Sequence, residues 1–153
     1  MMFRTHLFLG FLLAILVSPY LPVTNKFLFL MIATICSCFP DVDHARSKLN
    51  SEFPPFKIFS LLFRHRGITH SIFTAAILGG VAYYYLSLDI ALGIFIGFAA
   101  HVLGDALTKN GVAPLYPLTT FKIKGFITTG SLFEKVILYG IITGIIYKVS
   151  LAF

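Results

Sequence analysis

Five long apolar stretches, each closed by a proline or a polar turn, constrain this chain more than any other feature. Read as helices, they run from Phe3 to Pro19, Val23 to Phe39, Thr69 to Leu86, Ile90 to Leu107 and, after Ser131, to Leu151. A helix gains about 1.5 Å per residue, and the hydrocarbon core of a bilayer is about 30 Å thick, so some 20 apolar residues are needed to cross it. A composition of 58% hydrophobic and 12% charged residues belongs to the membrane class. The chain reads as an all-α integral membrane protein, with about five transmembrane helices in a bundle and two polar cytoplasmic loops. Residues 1–153 form one membrane-embedded domain. The second helix is short for a full span and stops at Pro40. Arg4 followed by Leu7 to Val17 imitates a signal peptide, but Val17-Ser18-Pro19-Tyr20 lacks a small-x-small cleavage site, so a retained first helix is expected.

Between the helices lie two polar sections, Pro40 to Arg66 and Lys109 to Thr129. Within the first, Phe56 to Phe63 is too short to span and reads as an amphipathic piece in the interface. Asp89, in the tight turn Ser87-Leu88-Asp89, reads as a solvated helix-start residue. Ser131 with Glu134 fits a capping box, which gives Glu134 a structural role in place of a catalytic one. Gly10, Gly79, Gly80 and Gly104 read as packing glycines, and Gly140 with Gly144 offers the fifth helix a close-packing face. Cys36 and Cys38 point to different faces of a helix, which excludes a mutual disulfide and leaves two small packing residues.

Basic residues set the orientation, because short cytoplasmic loops retain an excess of lysine and arginine. With the N-terminus inside, Arg4, Arg46, Lys48, Lys57, Arg64, Arg66, Lys109, Lys122, Lys124 and Lys135 face the cytoplasm, and Lys26 and Lys148 face outward. A net charge of +6 could suggest nucleic acid. In so apolar a chain, basic loops beside anionic lipid account for it, and no nucleic-acid partner is expected.

The same orientation brings every histidine to one depth. His6 falls at the inner end of the first helix, and Asp41, Asp43 and His44 at the inner end of the second. His65 and His70, joined by Arg66-Gly67-Ile68-Thr69, open the third. His101 and Asp105 sit near the inner end of the fourth. Ionisable groups in hydrocarbon are costly and usually functional. His101 and Asp105 are i, i+4 and share a face with Gly93 and Gly97, so they point into the bundle. Imidazole mixed with carboxylate is the ligand set of zinc, or of manganese or iron where carboxylates dominate. His6, Asp41, Asp43, His44, His65, His70, His101 and Asp105 are therefore candidate metal ligands, for an unspecified number of ions. One of Asp41, Asp43 and Asp105 is a candidate general base. Arg64, Arg66 and Lys109 are weak candidates for holding a substrate phosphate. A lone His–Asp pair is more often a buried hydrogen-bonded pair, and the loop cations more often only set topology. Convergence of four segments favours the metal site. Ser71 beside His70 reads as a hydroxyl bonded to helix backbone, not as a nucleophile.

Phe39-Pro40-Asp41-Val42-Asp43-His44, His65-Arg66-Gly67-Ile68-Thr69-His70-Ser71 and His101-Val102-Leu103-Gly104-Asp105 with Thr108 and Gly111 carry a family likeness. Thr5-His6 and Pro114-Leu115-Tyr116-Pro117 extend it. The chain resembles the YdjM-type membrane-bound metal-dependent hydrolases. The resemblance implies an inner-membrane protein with a metal site, and a distant similarity to zinc-dependent phospholipases C implies phosphoester hydrolysis. The expectation is thus a hydrolase at the cytoplasmic membrane surface, acting on a phosphoester of a lipid or lipid-linked substrate. The alternative is a non-enzymatic metal-binding or metal-transporting membrane protein. Transport calls for polar residues near mid-membrane, and the first, third and fifth helices have almost none.

Overall fold

The structure, a computed structural model, describes residues 1–43 and 67–151, with the backbone alone at Val42 and Asp43. The described residues form five α-helices: α1 (Phe3–Val17), α2 (Lys26–Cys36), α3 (Ile72–Tyr85), α4 (Leu88–Ala106) and α5 (Leu132–Ser150). Single 3-10 turns occupy Ser18–Tyr20, Phe39–Asp43 and Ile68–His70. Among the described residues there is no β-strand, only isolated bridges from Thr108 to Ile127 and from Val112 to Ile123. Among the described residues two segments, Phe3–Tyr20 and Leu88–Ala106, are long and apolar enough to cross a membrane. The expected interfacial piece Phe56 to Phe63 lies outside the described residues.

Two helices are shorter than their apolar runs, for reasons tied to their polar ends. α2 starts at Lys26 instead of Val23, because the residues before it are donors. Asp89 accepts from Thr24 N at 2.9 Å, Thr24 Oγ1 at 2.7 Å and Asn25 N at 2.8 Å. Asn25 then caps the helix by accepting from Leu28 N. The reading of Asp89 as solvated is therefore corrected: it is 5% exposed and clamps the start of α2 to that of α4. α3 begins at Ile72, because Ile68–His70 winds as a 3-10 turn and Ser71 caps the helix by accepting from Thr74 N.

At the start of α5, Ser131 caps as expected, but Glu134 reaches past the capping position. Its Oε2 accepts from Gly130 N at 2.6 Å and its Oε1 from Met2 N at 2.6 Å. Gly130 holds φ +81°, a left-handed turn that glycine enters without strain. Glu134 thereby ties α5 to the segment that leads into α1.

α4 is the centre. α1, α2 and α3 all pack against it, while α5 packs on α1. Glycines set a close seam between α2 and α4: a Cβ at Gly97 would lie 2.5 Å from Ala33 O and 2.8 Å from the Cys36 Cβ, and one at Gly93 would lie 2.9 Å from Ile32. Backbone approach of this kind is how helices associate where solvent offers no hydrophobic drive. Gly10 meets Ser37 in the same way across the α1–α2 seam. Gly80 and Gly140 do not pack: nothing lies within 4 Å of an added Cβ at either, and Gly144 has only Leu12 at 3.8 Å. Their helix faces are open.

The molecule is polar inside and apolar outside. His6, His70, His101, Asp105, Thr5, Thr108 and Glu134 are fully buried, while Tyr84, Phe27, Tyr85 and Leu118 are among the most exposed side chains. In water that distribution would leave large apolar areas uncovered; in hydrocarbon it is the favourable one.

Candidate metal centre

Four elements deliver side chains to one buried point. α4 supplies His101 and Asp105, one turn apart on its inward face. α1 supplies His6, the 3-10 turn after α2 supplies Asp41, and the 3-10 turn before α3 supplies His70. Asp105 Oδ1 stands 3.4 Å from His6 Nε2, and Asp105 Oδ2 stands 3.8 Å from His70 Nε2 and 3.9 Å from His101 Nε2. Asp41 Oδ1 is 3.8 Å from both His70 Nε2 and His101 Nε2. Ligand atoms 2.0–2.2 Å from a shared tetrahedral ion sit about 3.4 Å apart, so these are separations for sharing an ion rather than a proton. Two overlapping groups meet the spacing, His6–Asp41–His101 and His70–His101–Asp105, each with its donor atoms within 4.8 Å of one another.

The imidazoles are held by their own contacts. His101 Nδ1 lies 2.7 Å from Ser37 O. A carbonyl can only accept, so Nδ1 carries the proton and Nε2 presents its lone pair to the centre, the usual orientation of a ligating histidine. His101 Nε2 and both ring nitrogens of His6 have no hydrogen-bond partner among the described residues. The His6 and His101 rings stack with centroids 4.0 Å apart, and His70 meets His101 edge-on at 4.8 Å. His70 Nδ1 is 3.1 Å from Thr69 Oγ1. Gly104 makes room for the His6 ring, 3.1 Å from where a Cβ would stand. Buried imidazole nitrogens without partners cost free energy that a bound cation recovers, so the donor set fits a divalent metal.

Asp41 marks the mouth. Its side chain is 20% exposed, whereas those of His6, His70, His101 and Asp105 are fully buried. Burial by itself raises the Asp41 carboxyl, but His70, His101 and His6 outweigh burial and hold it at about 2. It is therefore ionised at neutral pH and suited to ligation, not to acting as an acid.

Of the residues expected at the site, His6, Asp41, His70, His101 and Asp105 come together. His44, His65, Arg64, Arg66 and the side chain of Asp43 lie outside the described residues. Lys109 is exposed, its backbone N–H donates to Ile127 O, and among the described residues no bond joins its ammonium to the cluster. Three participants went unforeseen. The Met1 ammonium donates to Asp105 Oδ1 at 2.6 Å, Ser37 orients His101, and Glu134 fixes Met2. Only Glu134 left a signal, as an acid at the edge of an apolar run.

Fold and centre together define a class: a helical membrane protein with a buried histidine–aspartate cluster at one end of its bundle. The chain belongs to the family described as YdjM inner membrane protein, which it matches over residues 1–152. It is 35% identical over 105 residues to the uncharacterised protein YvsG of Bacillus subtilis (strain 168), covering 67% of this chain and 66% of that protein. It is 32% identical over 93 residues to the inner membrane protein YdjM of Escherichia coli (strain K12), covering 56% of this chain and 47% of that protein. The aligned part thus spans between about half and two thirds of these relatives. No solved structure matches the chain.

Proposed function

We propose that the protein is a metal-dependent hydrolase of the inner membrane, acting at the cytoplasmic surface on a phosphoester of a lipid or lipid-linked substrate. The observation that carries the reading is the mixed cluster whose partly exposed member, among the described residues, is Asp41. A purely structural metal site is closed, whereas a catalytic one keeps an approach for substrate, and Asp41 lies on such an approach. His6, Asp41, His70, His101 and Asp105 would hold the metal, with zinc the best match to this donor mixture and manganese or iron next. A divalent ion supplies Lewis acidity toward a phosphoryl oxygen and lowers the pKa of water.

The chain's own part is to fix and exclude. Ser37 O holds the His101 tautomer, the α4 seam keeps His101 and Asp105 one turn apart, and burial keeps bulk water from all but the Asp41 edge. A membrane with five spans, an inside N-terminus and an outside C-terminus completes the reading, supported by the distribution of basic residues.

The test is metal content of the full chain purified in detergent without chelator, followed by activity on a panel of phosphoesters. At least one equivalent of zinc, manganese or iron is expected, and it should be lost in His101→Ala. A metal-free wild-type chain would overturn the metal centre. A metal-loaded chain inert on every phosphoester would favour the non-enzymatic alternative, a metal-binding protein.

A further inference from the structure

The face of α4 next to the one that carries His101 and Asp105 has a second feature. Between α3, α4 and the loop after α4 lies an apolar cavity of about 320 Å³, lined by Ile72, Phe95, Ala99, Val102 and Pro114 among others. Toward the far end of α3 follows a second hollow of about 270 Å³, floored by Ala76, Gly79 and Gly80. The two share Ala75 and Phe95 as walls, so they form one groove along the α3–α4 seam. Among the described residues, none that lines either part is charged.

We propose that this groove holds one hydrocarbon chain of a phospholipid-like substrate whose phosphate meets the metal centre. The inference rests on the reading of that centre as a phosphoester site and names the substrate's other half.

Length and continuity select this occupant. From Ser71, at the inner end, to Tyr83, at the outer end, α3 rises about 18 Å. One leaflet is about half of a 30 Å hydrocarbon core, so the groove has the depth of a single lipid chain. Its inner wall is one residue removed from the centre at three points: Ser71 follows His70, Val102 follows His101, and Ala106 follows Asp105. A lipid with its chain in the groove therefore carries its phosphate to the depth of the cluster. Ile72 N donates to Pro114 O, which makes the loop a third wall at the inner end. A second copy of α3 could lie on Gly79 and Gly80 alone, but it would not account for the deeper cavity beside the centre.

The full chain is reconstituted in nanodiscs of phosphatidylethanolamine and phosphatidylglycerol, with a trace of phosphatidic acid bearing a diazirine midway along one acyl chain. After irradiation the adducts are mapped by residue. Phe95 and Ile72 should be labelled on the order of tenfold more than Ile146 and Tyr147, which are more exposed but lie on α5. A Cβ added at Gly80 meets no atom within 4 Å, so Gly80→Leu should fold. With Ala99→Phe, it fills the groove from both ends and should abolish the enrichment. Equal labelling of groove and α5, or enrichment indifferent to both substitutions, overturns the proposal, as does a dimer cross-linked through α3. Metal content is read on the same samples. His101→Ala should lose the metal yet keep the labelling. Uniform labelling of a metal-loaded chain sinks the groove alone, and enrichment on a wild-type chain that purifies without metal sinks the phosphoester half of the proposal.

Discussion

Two carboxylates at opposite ends of α4 are both buried, yet their surroundings differ in kind. Asp89 accepts three hydrogen bonds of 2.7–2.9 Å from Thr24 and Asn25. Asp105 Oδ1 accepts from the Met1 ammonium at 2.6 Å, but the carboxylate also faces three imidazoles whose Nε2 atoms stand 3.4–3.9 Å away. At hydrogen-bond distance a carboxylate is satisfied by its donors and holds structure. An oxygen 3.8–3.9 Å from two imidazole nitrogens, as Asp105 Oδ2 is, leaves room for a cation between them. Spacing, more than burial or charge, separates the clamp from the centre.

The largest test of that difference is a pair of substitutions. Asp105→Ala is expected to lower metal affinity by roughly 100-fold or more, since even groups that only orient ligands contribute 10–100-fold. Asp89→Ala should leave metal content unchanged. Metal analysis of both purified variants decides it, and equal losses would erase the distinction.

Stability should move the other way. Asp89→Ala strands the backbone N–H groups of Thr24 and Asn25 and is expected to cost about 2 kcal/mol. Denaturant titration in mixed micelles measures this. A smaller loss would mean that solvent or lipid headgroups replace the carboxylate.

Acidity sharpens the contrast further. Protonated imidazole cannot ligate, so metal affinity should fall as the pH is lowered, each donor group containing two imidazoles. Asp41, held at about 2, stays ionised throughout and adds nothing to the change. A midpoint of metal release near pH 4 would instead make the carboxylates limiting.

The smallest effects concern the two faces of the bundle. At Gly97 an added methyl costs about 2 kcal/mol of overpacking against Ala33 and Cys36, offset by about 1 kcal/mol of helix propensity, so Gly97→Ala should lose about 1 kcal/mol. Gly80→Ala meets nothing and should gain somewhat under 1 kcal/mol. The same titrations measure both, and a Gly97→Ala variant as stable as the parent would show that the seam can yield.

What could be read from the sequence was local or periodic. His101 and Asp105 were legible because helical spacing fixes both to the face that carries Gly93 and Gly97. Their meeting with His6, Asp41 and His70 was legible only as a shared depth, which the basic residues supplied. Asp89 was misread because its partners lie 64 and 65 positions away, and a helix-start carboxylate looks the same whether its donors come from water or from another helix. Met2 was invisible to Glu134 for the same reason, at a separation of 132. Gly80 and Gly140 show the converse: small residues on a helix permit close packing without causing it.

The mounting of α2 carries a consequence for how the gene can vary. The segment is fastened to α4 twice, by Thr24 and Asn25 to Asp89 and by Ser37 to His101. Adding or removing one residue between positions 26 and 36 would shift one fastening by about 1.5 Å and rotate it by about 100°. The two fastenings could not then both be kept. Members of the family should accept substitutions along α2 freely, but their number of residues between the Thr24 and Ser37 positions should not vary.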